Sequence, residues 1–241
     1  MALILRILIL CFLSAAVFSS PGVAAYLSKG LNRAEALYEE AAAQFDVGAL
    51  QRAGALTLAV KDAHPYKTQL LYGKINTLLA QLYWYNLQKT DAAAAAQTAL
   101  LALNQAYSDA GTNDKNDIRF YRSYANVIAN KVGGAAPVTS AITSTMGSED
   151  LEYLVKAEPN AERTRYLVAL NDIHGSSRKR REACTHFKTL HDEFSDNMAY
   201  RIYSLYCRRL EGDKEAAAEL GEILMKQPYN ALARWARGHK P

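Results

Sequence analysis

Between residues 176 and 228 the apolar side chains recur every third or fourth position, stop at a polar turn, and begin again. Ala183, Phe187, Leu190 and Phe194 share one stripe, Tyr200, Tyr203, Cys207 and Leu210 a second, and Ala216, Leu220, Ile223 and Leu224 a third. Spacing of i, i+3/i+4, i+7 belongs to amphipathic α-helices. A helix with one apolar stripe must bury it against another element, and neighbours of the same kind are the only ones this pattern offers. The stretch therefore predicts two antiparallel helices with a third folded behind them. It commits the chain to an all-α fold of antiparallel helix–turn–helix pairs.

The same alternation runs through the rest of the chain, and no segment shows the period-two pattern of a strand. Asn32 is placed to cap a helix carrying Ala34, Leu37, Tyr38, Ala41 and Phe45, and Asp46 to cap the next, which runs to about His64 before Pro65. Residues 66–88 are apolar on nearly every side, which predicts a central helix touched by several others. Asp91 is expected to cap a fourth helix, 92–107, whose five alanines at 92–96 favour helix and permit close approach. A polar loop at 108–116 leads to a fifth helix at 117–131. The Gly-, Ser- and Thr-rich stretch 132–148 reads as a linker with a short helix, a hinge or a boundary between halves. Helices at 149–156 and 161–173 follow, then the stretch described above and a capping helix at 229–237. The expected division is helical pairs over 26–131, the linker over 132–148, and repeats with a cap over 149–241.

Residues 1–25 read as a secretory signal peptide. Arg6 precedes an apolar run at 7–18, Ser19, Ser20 and Pro21 break it, and Val23, Ala24 and Ala25 supply small residues, with cleavage expected after Ala25. The run is too short for a membrane span, which needs about 20 apolar residues. Cys11 follows Leu10, a poor context for lipidation. The expected location is the periplasm, with secretion as the alternative. The whole chain carries 28 basic and 24 acidic residues for a net charge of +4, and cleavage would remove only Arg6. So small an excess argues against broad nucleic-acid binding.

Shifting the chain on itself by 33 residues sets Leu167 on Tyr200, Leu170 on Tyr203, Asn171 on Ser204, Ala183 on Ala216, Phe187 on Leu220, Leu190 on Ile223 and Ser195 on Pro228. Ser204 matches the small position of a first helix, Ala216 the alanine of a second and Pro228 a closing proline. In this the stretch 161–228 resembles the tetratricopeptide repeat (TPR), a helix–turn–helix unit of about 34 residues. The family's Gly and aromatic anchors are mostly missing. The resemblance implies helix pairs stacked as a right-handed array with a concave face that holds a protein or peptide, such as a membrane-associated component of a cell-envelope complex. Residues 69–86 and the alanine run after them also resemble the helical T-component proteins of TRAP-type uptake systems. That likeness implies a ligand-binding accessory of periplasmic solute uptake as the alternative function.

Three sets of residues are candidate sites. Cys184 and Cys207 lie symmetrically about the turn at 195–197, so a helical hairpin sets them opposite each other. They form either a disulfide closing a ring of about 24 residues, worth about 3 kcal/mol, or a pair of small buried hydrophobes. Arg178, Lys179, Arg180 and Arg181 form a basic run that the same symmetry brings level with Arg208 and Arg209. Cations at a helix N-terminus oppose its dipole. The cluster is therefore either a site for an anionic partner or a solvated surface balanced by Glu182, Glu211 and Asp213. Tyr83, Trp84, Tyr121, Tyr124, Tyr200 and Tyr203 either line a groove or pack in the core. His186 and His191 are five apart, a spacing that puts them on different helix faces and argues against a metal site. There is no phosphate-binding Gly loop, nucleophile elbow or evident acid–base pair. The expectation is a non-enzymatic protein with no cofactor, no metal and no catalytic residue.

Overall fold

The computed structural model describes residues 21–61, 64–111, 114–132 and 138–239, with the side chains of 21–27 and 138–146 left aside. Of the signal sequence predicted over 1–25, residues 1–20 lie outside these residues and 21–25 begin the first helix. Among the described residues the chain is all-α. The helices are α1 Pro21–Gln44, α2 Val47–Ala59, α3 Pro65–Tyr85, α4 Lys89–Asp109, α5 Lys115–Val132, α6 Val138–Ala157, α7 Glu162–Asp172, α8 Ser177–Glu193, α9 Met198–Leu210, α10 Lys214–Lys226 and α11 Ala231–Gly238. Among them none is long and apolar enough to cross a membrane.

Local chemistry sets several of the boundaries. Asp46, Asn197, Asp213 and Asn230 accept hydrogen bonds from backbone N–H groups of the first turns of α2, α9, α10 and α11, satisfying donors that have no partner inside the helix. Two expected caps fall elsewhere. Asn32 is interior to α1, which starts at Pro21, and Asp91 sits in the first turn of α4, where it complements the helix dipole instead. The linker expectation also changes. Residues 133–137 lie outside the described residues, but 138–148 are not loop: they continue into one 20-residue helix, α6. Between α9 and α10, Gly212 turns the chain with φ +93°, a conformation that costs other residues.

Each helix packs on the next through α1–α6 and again through α6–α11, with further contacts two helices on (α1 on α3, α3 on α5, α5 on α7, α9 on α11). α3 is the central helix the pattern predicted: Leu71, Ile75, Leu78, Leu79, Ala80 and Leu82 are buried, and α1, α2, α4, α5 and α11 all touch it. α4 comes close because Gly73 faces Leu103. A Cβ at residue 73 would lie 2.5 Å from Leu103 Cγ. Five of the seven pairs superimposed by the 33-residue shift are buried in both copies: Leu167 and Tyr200, Leu170 and Tyr203, Ala183 and Ala216, Phe187 and Leu220, Leu190 and Ile223. Asn171 is half-buried opposite the buried Ser204, and Ser195 and Pro228 are both exposed.

The last described helix returns to the N-terminal half of the chain. α11 packs on α3 and α9, and Ala231 N donates to the carbonyl of Phe45 at 3.2 Å. Trp235 stacks on Tyr85 with ring centres 4.2 Å apart. One apolar core thus runs from Leu31 to Ala236. Two polar devices are sealed within the fold. On α5, Arg122 grips Asp150 of α6 with two bonds, Nε to Oδ2 at 2.6 Å and Nη2 to Oδ1 at 2.8 Å, and both side chains are buried. At the centre, Gln81 of α3 is fully buried and joins three tyrosines. Its Oε1 accepts from Tyr124 at 2.5 Å, and its Nε2 donates to Tyr203 at 2.7 Å and to Tyr166 at 3.4 Å. Tyr85 shares a hydrogen bond with Tyr203, and Tyr124 with Tyr166. Burial pushes all four phenols upward in pKa, so they remain protonated donors.

Candidate functional site

That network decides where the six expected groove aromatics belong. Tyr124, Tyr200 and Tyr203 are buried and line no open surface. Tyr203 stacks on Phe187 at 4.1 Å, and Tyr200 donates to Glu162 at 2.8 Å. Trp235 of α11 lies against Tyr203, with ring centres 6.0 Å apart. The other three are half-buried and scattered. Tyr83 accepts from Gln51, Trp84 packs edge-on against His174, and Tyr121 lies beneath the Lys74 ammonium.

The cysteines and the basic run do come together. Cys184 of α8 and Cys207 of α9 are joined by a disulfide, their Cα atoms 5.5 Å apart, a separation ordinary for that bond. Above it lies an open cleft of about 550 Å³ between α8 and α9. Arg180, Arg181 and Lys188 of α8 line it, with Thr185 between them and, opposite, Ser204 and Arg208 of α9 and Glu211 just after it. Arg181, Cys184, Thr185 and Lys188 fall at i, i+3, i+4 and i+7, so they share one face of α8.

The six cations of the basic patch are not equivalent. Arg178 pairs with Glu182, Lys179 with Asp172, and Arg208 with both Asp213 and Glu219. The hydrogen bonds from Arg208 hold the Asp213 carboxyl below its usual pKa. Arg209 turns away and donates to the carbonyl of His239. Arg180 and Arg181 form no ion pair with a described residue, and neither does Lys188. Lys188 is the residue the sequence reading passed over. The signal that marks it is its place one heptad after Arg181 on the cysteine-bearing stripe. A cleft with three cations outside any ion pair, the three hydroxyls of Ser177, Thr185 and Ser204, and a disulfide floor can hold carboxylates. Among the described residues no group of three or more His, Cys, Asp or Glu is placed to hold a metal.

Apart from the cleft, the turn between α7 and α8 joins an aromatic cluster. His174 packs on Trp84, with ring centres 4.3 Å apart, and lies near Trp235, Tyr85 and His239. Its Nε2 is buried without a hydrogen-bond partner. Desolvation, helped by His239, Lys131 and Arg180, holds its pKa down at about 3. The folded state therefore refuses a proton that the unfolded chain accepts near pH 6.5. Stability is fully present above that pH and is lost as the pH falls toward 3. His174 alone removes about 2 kcal/mol between pH 7.5 and pH 5. Urea unfolding at the two pH values measures this, and His174→Phe flattens the dependence. An unchanged slope in that variant would assign the acid sensitivity elsewhere.

Neither a protein-family model, nor a curated protein, nor a solved structure matches this chain. Its function is therefore argued from the site.

Proposed function

We propose that this chain is an exported, non-enzymatic helical scaffold of TPR-like build. In this reading it holds an acidic segment of a cell-envelope protein in the α8–α9 cleft. The observation that carries the proposal is the cleft itself: Arg180, Arg181 and Lys188 surround it without carboxylate partners among the described residues. Cations at the N-terminal end of α8 work against the helix dipole, so their clustering there is better explained by a bound anion than by helix stability. The apolar run at 7–18, ending in small residues, and a disulfide of the kind that persists in oxidising compartments both support export to the periplasm.

Arg181 and Lys188 are exposed, so Arg181→Glu with Lys188→Glu reverses the rim charge without disturbing the core. Envelope extracts passed over immobilised wild-type and doubly reversed protein provide the test. Reversal is expected to reduce recovery of the bound partner by roughly tenfold or more, and 0.5 M salt to weaken the wild-type capture in the same direction. Equal recovery by the two proteins would remove the cleft from the account.

A further inference from the structure

At the other end of the fold, α1 and α2 pack on each other and inward on α3, and their outer side carries no further helix among those described. Stacked helical pairs need a polar cap or a partner on such a terminal face. Here the face is an open groove of about 710 Å³, lined by Arg33, Ala36, Leu37 and Glu40 of α1 and by Arg52 and Leu56 of α2. Its floor is apolar. Arg33, Glu40 and Arg52 form no ion pair with a described residue.

The order of charges along α1 names the occupant. Arg33, Ala36, Leu37 and Glu40 fall at i, i+3, i+4 and i+7 and form one stripe, in which Arg33, Ala36 and Glu40 are exposed and Leu37 is half-buried against the core. It has a cation at one end, an anion at the other and small or apolar residues between. Turned end for end about its midpoint, the stripe is complementary to itself. An antiparallel α1 from another copy places Arg33 against Glu40 and Glu40 against Arg33, with Ala36 and Leu37 of the two copies crossing in the middle. Complementarity of a patch to its own two-fold image is the requirement of an isologous dimer. We infer that the protein self-associates through the α1–α2 face, two copies pairing α1 antiparallel about the point between Ala36 and Leu37. This contact lies apart from the α8–α9 cleft and does not depend on what that cleft binds.

Sedimentation of the purified protein over a range of concentrations tests it. Wild type is expected to pass reversibly from monomer to dimer. Arg33→Glu alone faces Glu with Glu, and Glu40→Arg alone faces Arg with Arg. Each is expected to weaken the dimer by roughly tenfold or more, while circular dichroism shows both variants folded. An equimolar mixture of the two single variants restores both ion pairs in a heterodimer, and the Arg33→Glu/Glu40→Arg double variant restores them in a homodimer. Both are expected to associate like wild type. A wild type that stays monomeric, single variants that dimerise undiminished, or a mixture no tighter than its components would each overturn the inference.

Discussion

Asp150→Ala is expected to lower the unfolding free energy by about 3–5 kcal/mol, the range for breaking a buried ion pair by removing one partner. The Arg122 side chain and its Asp150 partner each keep only 7% of their surface exposed. Arg122 also donates to Asn104 at 3.0 Å and lies over the Tyr107 ring. Without the carboxylate, the guanidinium stays held among α4, α5 and α6 with its charge uncompensated. A paired Arg122→Met/Asp150→Leu variant recovers most of the loss, because the pair itself is worth little net of its desolvation. Denaturant melts of the three proteins measure the effect. A loss below about 1 kcal/mol for Asp150→Ala would mean that water reaches the guanidinium, a state the desolvation cost is meant to exclude.

Removing the Cys184–Cys207 bond has the second large effect. Cys184→Ala/Cys207→Ala is expected to cost about 3 kcal/mol, because the bond closes a ring of about 24 residues and restricts the unfolded chain. For a chain of this size that corresponds to a melting temperature lower by about 6–12 °C. Reductant on the wild-type protein should reproduce the drop and leave the double variant unmoved. The same variant bears on function. The bond is the floor between Arg181 and Lys188 on one side and Ser204 on the other, so partner capture should weaken even at temperatures where the variant is folded. Capture at wild-type strength would show that the cleft does not need its floor.

Much of the architecture was legible along the chain because helical periodicity is a local property. Stripes such as Ala183–Phe187–Leu190 and Ala216–Leu220–Ile223 are buried as their spacing requires. Asp46 caps where it stands because a cap needs only backbone within three residues. Asn32 misled for a related reason. A capping residue signals a start only if the residues before it are not helical, and here α1 already runs from Pro21. The disulfide was accessible from hairpin symmetry, again across a single turn.

The site followed different rules. Which stripe faces which, and how far a charge is neutralised, depend on which side chains meet in space, which periodicity along one helix does not specify. Asp172 takes Lys179, Glu219 takes Arg208, and the last turn of the protein takes Arg209. A six-cation patch in the sequence thereby becomes three unpaired cations in space, one of them, Lys188, outside the original run. The aromatic stripe shows the same limit. Period 3.6 puts Tyr203 on an apolar face but does not say that α11 returns to set Trp235 on Tyr85.

The sequence by itself thus determined most of the helices, their polarity and the juxtaposition of Cys184 and Cys207, since each depends on neighbours within a turn or a hairpin, while the bond between the two sulfurs came from the structure. The tertiary structure alone decided that the tyrosines form a sealed hydrogen-bonded centre, and that the uncompensated charge gathers in the α8–α9 cleft and along α1. Burial and electrostatic pairing act over distances in space, and only the packing of all eleven described helices sets those distances.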